Sequence, residues 1–349
     1  MTRKRALIVV QRFIGDTLLA TPLARSLHAA DYSVDWLIPP SSTSLVAPLP
    51  WTNKTLSFGK GLGAVWNMLR NIYGQYDDIF LMTPSDKPAF VSALAGARLH
   101  GLFSPRYTDW WKRSVAKTVL IYQGDRHIAS YAFRLAERLG KLDTRSIIYP
   151  FTDHDHEKVN HWVGTSHYLV VHPFARWNYK RWPEQSWRGL FTLLERTGRT
   201  IVVTGSPDEK DKILELTKDI EGNIKVAAGT FSWPELAALL SGAKAYIGVD
   251  TVMTHLAAAS EVPTIALFGP TDPTIWGPWP NRHPGETPWD KTSPDGVQHE
   301  GCVYILQGLQ ACVPCHREGC ERHLRSHSAC LDSITPDRVF EKVEEVLKK

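Results

Sequence analysis

The sequence predicts an α/β protein of two Rossmann-like, doubly wound domains, and three observations predict it. Short apolar runs of strand length alternate with segments whose apolar residues recur at helical spacing. That alternation occurs twice, on either side of a polar stretch at residues 152–164. Glycine, proline and acidic residues gather just after the strands, where sheets of this kind bind ligands.

In the first half, residues 6–10 form an apolar run, and residues 16–28 carry Leu18, Leu19, Leu23 and Leu27 at helical spacing. Residues 34–38 and 79–82 read as strands and 89–95 as helical. Residues 126–139 read as an amphipathic helix with Ile128, Tyr131, Leu135 and Leu139 on one stripe. In the second half, strands are expected at 168–171, 200–204, 224–226, 245–249 and 264–268. Helices are expected at 183–196, opened by Pro183, at 207–220, from the capping box Ser232–Glu235 to Ser241, and at 254–260. Residues 281–333 are rich in Pro, His, Cys and Gly and show little periodicity, while 336–349 are a clean amphipathic helix. The domains expected are 1–158 and 166–333, with the helix at 334–349 returning to pack on the first.

A chain of 349 residues is long enough for two domains with cores of their own. Hydrophobic residues at 43% and charged residues at 22% exclude disordered and collagen-like classes. The apolar runs are too short for a membrane helix, and the first residues lack the pattern of a secretory signal, so a cytoplasmic location is expected. The formal charge of +4 suits an anionic substrate or an anionic lipid surface and is too small to argue for nucleic acid.

Five turns carry the chemistry. In Arg12-Phe-Ile-Gly-Asp16, Gly15 permits a tight turn and Asp16 stands at a helix start. A carboxylate there can take a proton from an attacking sugar hydroxyl, or it can simply cap the helix. A single glycine does not make a dinucleotide fingerprint. Between His172 and Pro183, Lys180 and Arg181 precede a helix N-terminus, an anion site suited to a diphosphate unless the loop is only solvated. Glu209, after Thr204-Gly-Ser-Pro, can hold ribose hydroxyls or favour a helix dipole. Asp250 and Thr251 end a strand before a helix whose free amides can bind phosphate. His255 adds a donor there or is a satisfied core residue. The fifth turn is Phe268-Gly-Pro-Thr-Asp-Pro273.

Together, Gly15-Asp16, Lys180-Arg181-Trp182-Pro183, Gly248-Val-Asp-Thr251 with His255, and Ala266-Leu-Phe-Gly-Pro-Thr-Asp-Pro273 resemble glycosyltransferase family 9, the lipopolysaccharide heptosyltransferases, over nearly the whole chain. The stretch from His172 to Trp182 is similar to the heptosyltransferase III type. The resemblance implies the GT-B fold, with two Rossmann-like domains facing a central cleft. It implies an inverting transfer of heptose from ADP-L-glycero-D-manno-heptose to the lipopolysaccharide inner core, with no covalent intermediate and no chelated metal. It places the general base on Asp16 and the diphosphate contact on Lys180, with Arg181 beside it. It places the ribose acid on Glu209 and further donor contacts on Asp250, Thr251 and His255. Acceptor contacts are expected at Arg12 and at Arg106, Lys112 and Arg113, beside Trp110 and Trp111. That basic stretch either grips core phosphates near the inner face of the inner membrane or is an exposed charged loop. Two departures stand out. Val252 occupies a position that is often Gly in the family, and Arg-Phe-Ile replaces the commoner Ser-Ser-Leu before Gly15-Asp16.

Cys312, Cys315, Cys320 and Cys330 suggest a structural zinc site, or reduced thiols in a packed loop. Two other functions compete: transfer of a different nucleotide-linked sugar by the same architecture, and a non-catalytic nucleotide-binding module.

Overall fold

The computed structural model describes residues 3–348, apart from 59–61, 107–109, 141–143 and 165–166. The chain divides into two compact units, Met1–Ile148 and Tyr149–Lys349. Residue 166, the expected start of the second domain, lies outside the described residues.

The first unit holds β1 (Lys4–Val9), β2 (Tyr32–Ile38), β3 (Lys54–Ser57), β4 (Asp78–Leu81), β5 (Arg98–Phe103) and β6 (Ala116–Ile121). They form one parallel sheet in the order β3-β2-β1-β4-β5-β6. This is the Rossmann order, and the strand sequence reverses direction between β1 and β4. The helix expected at 16–28 is two helices, Ile14–Leu19 and Thr21–Ala29. Pro22 cannot donate to the carbonyl one turn back, and the Thr21 hydroxyl bonds Leu18 O instead, at 2.7 Å.

At the opposite, amino edge of this sheet, Asp78 opens β4 and accepts hydrogen bonds from Arg98 (2.6 and 2.8 Å), His100 (2.8 Å) and Tyr32 (2.9 Å). Burial alone would raise the Asp78 carboxyl, but these donors hold it well below the usual carboxylate range. The cluster joins the starts of β2, β4 and β5, away from the strand ends that carry ligands, so it serves the fold.

The second unit holds β7 (Tyr168–His172), β8 (Thr200–Val203), β9 (Ile224–Val226), β10 (Ala245–Val249), β11 (Thr264–Phe268), β12 (Val297–Glu300) and β13 (Val303–Gln307). Their order is β12-β13-β11-β10-β7-β8-β9, parallel except for the β12–β13 edge pair. The reversal here lies between β7 and β10. Both strands are buried along their full length, as parallel strands covered on two faces must be.

The polar stretch expected as a boundary is a helix, Asp153–Val163. Thr152 and Asp155 form its capping box, and Gly164 closes it in the left-handed conformation at φ 73°. It packs on the helix Trp233–Gly242 of the second unit. The helix Pro336–Leu347 lays Val339, Val343 and Val346 into the second unit's core against the helix Glu184–Glu195. Just before it, Ile334 O accepts the indole N–H of buried Trp182 at 2.9 Å.

Candidate active site

In the second unit, the turns after β7, β8 and β10 meet at the carboxyl edge, where the strand order reverses. The segment after β7 closes into a single 3-10 turn, Asn178–Lys180, before the helix Glu184–Glu195. Lys180 Nζ meets Asp250 Oδ2 at 2.5 Å. Asp250 follows β10 directly and is 8% exposed. A nearly buried carboxylate of this kind fixes the ammonium in place, so the positive charge stands where the free amides of the helix Val252–Ala259 begin.

Two polar atoms at this point are buried without a hydrogen-bond partner among the described residues: Thr251 Oγ1 and His255 Nδ1. Buried polar atoms are mostly paired, so two unpaired ones beside a lysine and a helix N-terminus make this edge the candidate site for a polar ligand. Burial pushes the His255 imidazole down to about 4, with the Asp250 charge opposing and the Lys180 charge reinforcing the shift. Val252 is the first helical residue, so this position needs no positive φ and the valine is accommodated.

Arg181 turns away from this cluster: its Nε donates to Ala175 O at 2.7 Å, and the guanidinium lies 5.8 Å from the Phe174 ring centroid. Glu209 ends the 3-10 turn after β8 and accepts from Ser206 N–H at 2.8 Å through Oε2. His172, the last residue of β7, bonds Thr204 at 3.0 Å. Gly248, inside β10, has to lack a side chain: a Cβ there would meet the Tyr246 hydroxyl at 2.2 Å.

The turn carrying Lys180 is braced from behind by the Cys/His-rich segment. Asn178 N–H donates to Leu324 O and its side chain to Arg325 O, both at 3.2 Å, and the Ser328 hydroxyl donates to Tyr179 O at 2.7 Å. That segment is the part of the site that apolar periodicity did not reveal.

The zinc expectation for Cys312, Cys315, Cys320 and Cys330 is not supported. Among the described residues no group of three or more Cys, His, Asp or Glu is arranged to hold a metal ion. The thiols sit in unlike settings. Cys330 is buried beneath Gly269, and burial pushes its thiol up to about 12, the other three thiols adding to the shift. Cys312 and Cys320 are exposed, and Cys320 Sγ accepts from Ala329 N–H at 3.4 Å.

In the first unit, Asp16 lies in the opening turn of the helix after β1, beside that sheet's own reversal point. Its Oδ2 accepts from Phe13 N–H at 3.4 Å, so it does cap the helix. The bond is long for an N–H donor to a carboxylate oxygen. Arg12 and Arg106 are exposed. Lys112 is buried and ion-paired with Asp86. Arg113 donates to Ser104 O at 3.1 Å and Arg106 O at 3.3 Å. Lys112 is thus tied to the helix that opens with Asp86, and Arg113 to two backbone carbonyls that precede its own helix.

The buried imidazoles carry a pH signature. Burial lowers His172 and His255 to about 4 in the folded protein, from an ordinary 6.5. The unfolded chain therefore takes up protons between pH 6.5 and 4 that the folded chain refuses. Stability is full above about 6.5 and falls as pH drops to about 4, by on the order of 3 kcal/mol per histidine. Urea denaturation across this range should show that loss, and His255→Gln should remove about half of it, leaving the share of His172.

The sequence profile of glycosyltransferase family 9 (heptosyltransferase) matches residues 64–287. Lipopolysaccharide heptosyltransferase 3 of Escherichia coli is 28% identical over 291 residues, covering 78% of this chain and 85% of that relative. The solved E. coli ADP-heptose lps heptosyltransferase II covers 99% of this chain and 98% of its own, at a TM-score of 0.71 and 18% identity. E. coli heptosyltransferase WaaC with ADP covers 98% and 99%, at 0.68 and 19%. At such identities the likeness establishes the fold, which is GT-B.

Proposed function

This chain belongs to glycosyltransferase family 9, the heptosyltransferases, and is a glycosyltransferase; we propose that it moves heptose from ADP-L-glycero-D-manno-heptose onto a sugar of the lipopolysaccharide inner core. The observation that carries the donor side is the Lys180–Asp250 pair at the start of the helix Val252–Ala259, with two unpaired buried polar atoms beside it.

In this reading the acceptor hydroxyl attacks the anomeric carbon as the bond to ADP breaks, and the configuration inverts. Asp16 takes the hydroxyl proton. Negative charge grows on the departing diphosphate, where Lys180, the helix amides and Thr251 meet it. His255, neutral above about pH 4, offers a hydrogen bond without adding charge. Glu209 holds the ribose. Arg12 and Arg106 are the acceptor contacts, with Arg113 held on the carbonyls of Ser104 and Arg106 and Lys112 paired with Asp86. Incubating the protein with ADP-heptose and truncated core acceptors tests this directly. Mass spectrometry should show the acceptor heavier by one heptosyl residue, and no product with any core acceptor would overturn the assignment.

The same reading places the protein at the inner face of the inner membrane. No helix among the described residues is long and apolar enough to cross a membrane. The first unit does expose Trp110 and Phe90, at 58% and 52%, on two neighbouring short helices, and Leu94, at 46%, just after the one that carries Phe90, with Lys117 exposed beyond the other. Aromatic residues among cations suit an anionic headgroup layer. Flotation with vesicles containing phosphatidylglycerol should recover the protein at low salt and release it at high salt. Trp110→Ala should weaken recovery without altering transfer to a water-soluble acceptor.

A further inference from the structure

His172 stands at the point where the second sheet reverses, opposite Gly248 in the β7–β10 register, and the mechanism above gives it no part. Its tautomer is assigned by its neighbours. The Thr204 hydroxyl lies 3.2 Å from Val171 O, a carbonyl that can only accept, so the single hydroxyl proton points there. His172 Nδ1, 3.0 Å from the same hydroxyl oxygen, must then donate. That leaves Nε2 as a bare acceptor. Burial keeps the ring neutral by lowering it to about 4, against the nearby Glu209 charge.

Glu209 presents a second acceptor on the adjoining turn. One of its oxygens is held by Ser206 N–H. Gly205 directly follows Thr204, the partner of His172, and a Cβ on it would come 3.3 Å from Glu209 Oε2 and 2.6 Å from Ile213. The strand ends thus carry two proton acceptors, one neutral and one anionic, flanked by residues with no side chain.

We propose that His172 Nε2 and the Glu209 carboxylate form a paired acceptor site for the two vicinal hydroxyls of the donor's ribose, and so select ribonucleotides over deoxyribonucleotides. Each ribose hydroxyl donates its proton to one of the two groups. An apolar side chain at 172 removes one acceptor and leaves the other. The proposal rests on the nucleotide-donor reading, and its test separates the two.

Calorimetry is run with ADP, 2′-deoxy-ADP and 3′-deoxy-ADP on the wild type, His172→Leu, His172→Gln and Glu209→Gln. The wild type should prefer ADP over each deoxy analogue by roughly three- to tenfold, the worth of one hydrogen bond. His172→Leu should lose the preference against one analogue and keep it against the other, and Glu209→Gln should weaken the complementary one. His172→Gln, which retains an acceptor oxygen, should restore part of the preference and serves as the reporter if the leucine variant does not fold. A wild type that binds no ADP overturns the donor reading itself. A wild type that binds ADP, with both preferences unchanged in the His172 variants, overturns only the role of His172.

Discussion

Asp16→Asn is expected to lower heptosyl transfer by about a hundredfold or more while ADP binding and melting temperature stay close to wild type. Asparagine is chosen over alanine for a physical reason. The Asp16 carboxylate receives the Phe13 N–H at 3.4 Å, so alanine removes a cap and a base together. The cap is worth about 1 kcal/mol, and asparagine retains an oxygen to replace it. It has no basicity, so an acceptor hydroxyl keeps its proton. Steady-state rates with saturating donor, read beside thermal denaturation, separate the two roles. A variant that turns over at the wild-type rate would reduce Asp16 to a helix cap. Asp16→Ala should also abolish transfer and cost some stability besides.

Lys180→Ala should act on the donor. It removes the ammonium that neutralises Asp250, whose side chain is nearly buried, and it removes the positive charge proposed to meet the diphosphate. The uncompensated carboxylate repels ADP as well, so affinity for ADP is expected to fall at least tenfold and turnover about a hundredfold or more. Stability should drop by about 2–3 kcal/mol, because a buried charge loses its partner. The double variant Lys180→Ala/Asp250→Ala tells the contributions apart. It should regain most of the lost stability, since no charge is left stranded, and it should remain inactive. Recovery of activity with stability would mean that the pair is structural.

Much of this arrangement was legible in the sequence for a simple reason. The central strands of a parallel sheet are covered on both faces, so β7, β10 and β11 are unbroken apolar runs, and the residues that end them announce themselves by contrast. Elements away from the middle of each sheet gave weaker signals. Arg98–Phe103 reads Arg-Leu-His-Gly-Leu-Phe, its polar residues drawn in by Asp78 and Thr118, and it has no apolar run to recognise. Strands β12 and β13 are hidden among prolines and histidines. The helix Asp153–Val163 buries only Val159 and Val163, so periodicity is almost silent. Its signal was in its ends, Thr152 with Asp155 and the closing Gly164, which composition disguised as a linker.

Position along the chain pointed to Lys180, Asp250, Thr251 and His255 because each comes after a strand, and the structure brings them to one edge of the second sheet. It did not distinguish Lys112 and Arg113 from solvent-facing cations. Their partners, Asp86 and the carbonyls of Ser104 and Arg106, are set by tertiary packing that no spacing rule encodes. Nor did it show that Asn178 and Tyr179 are tethered to residues about 150 positions downstream.

The indole of Trp182 hanging from Ile334 bears on how the protein is made. A ribosome delivers the chain from its amino end, at roughly 5–20 residues per second. The first sheet has all its strands once Ile121 has emerged, whereas the layer beneath the lysine-bearing turn waits for the helix that runs to Leu347. One half can therefore be finished while the other is still an open sheet with tryptophans uncovered. Translation that pauses in the cysteine-rich segment exposes that surface to chaperones and proteases for as long as the pause lasts.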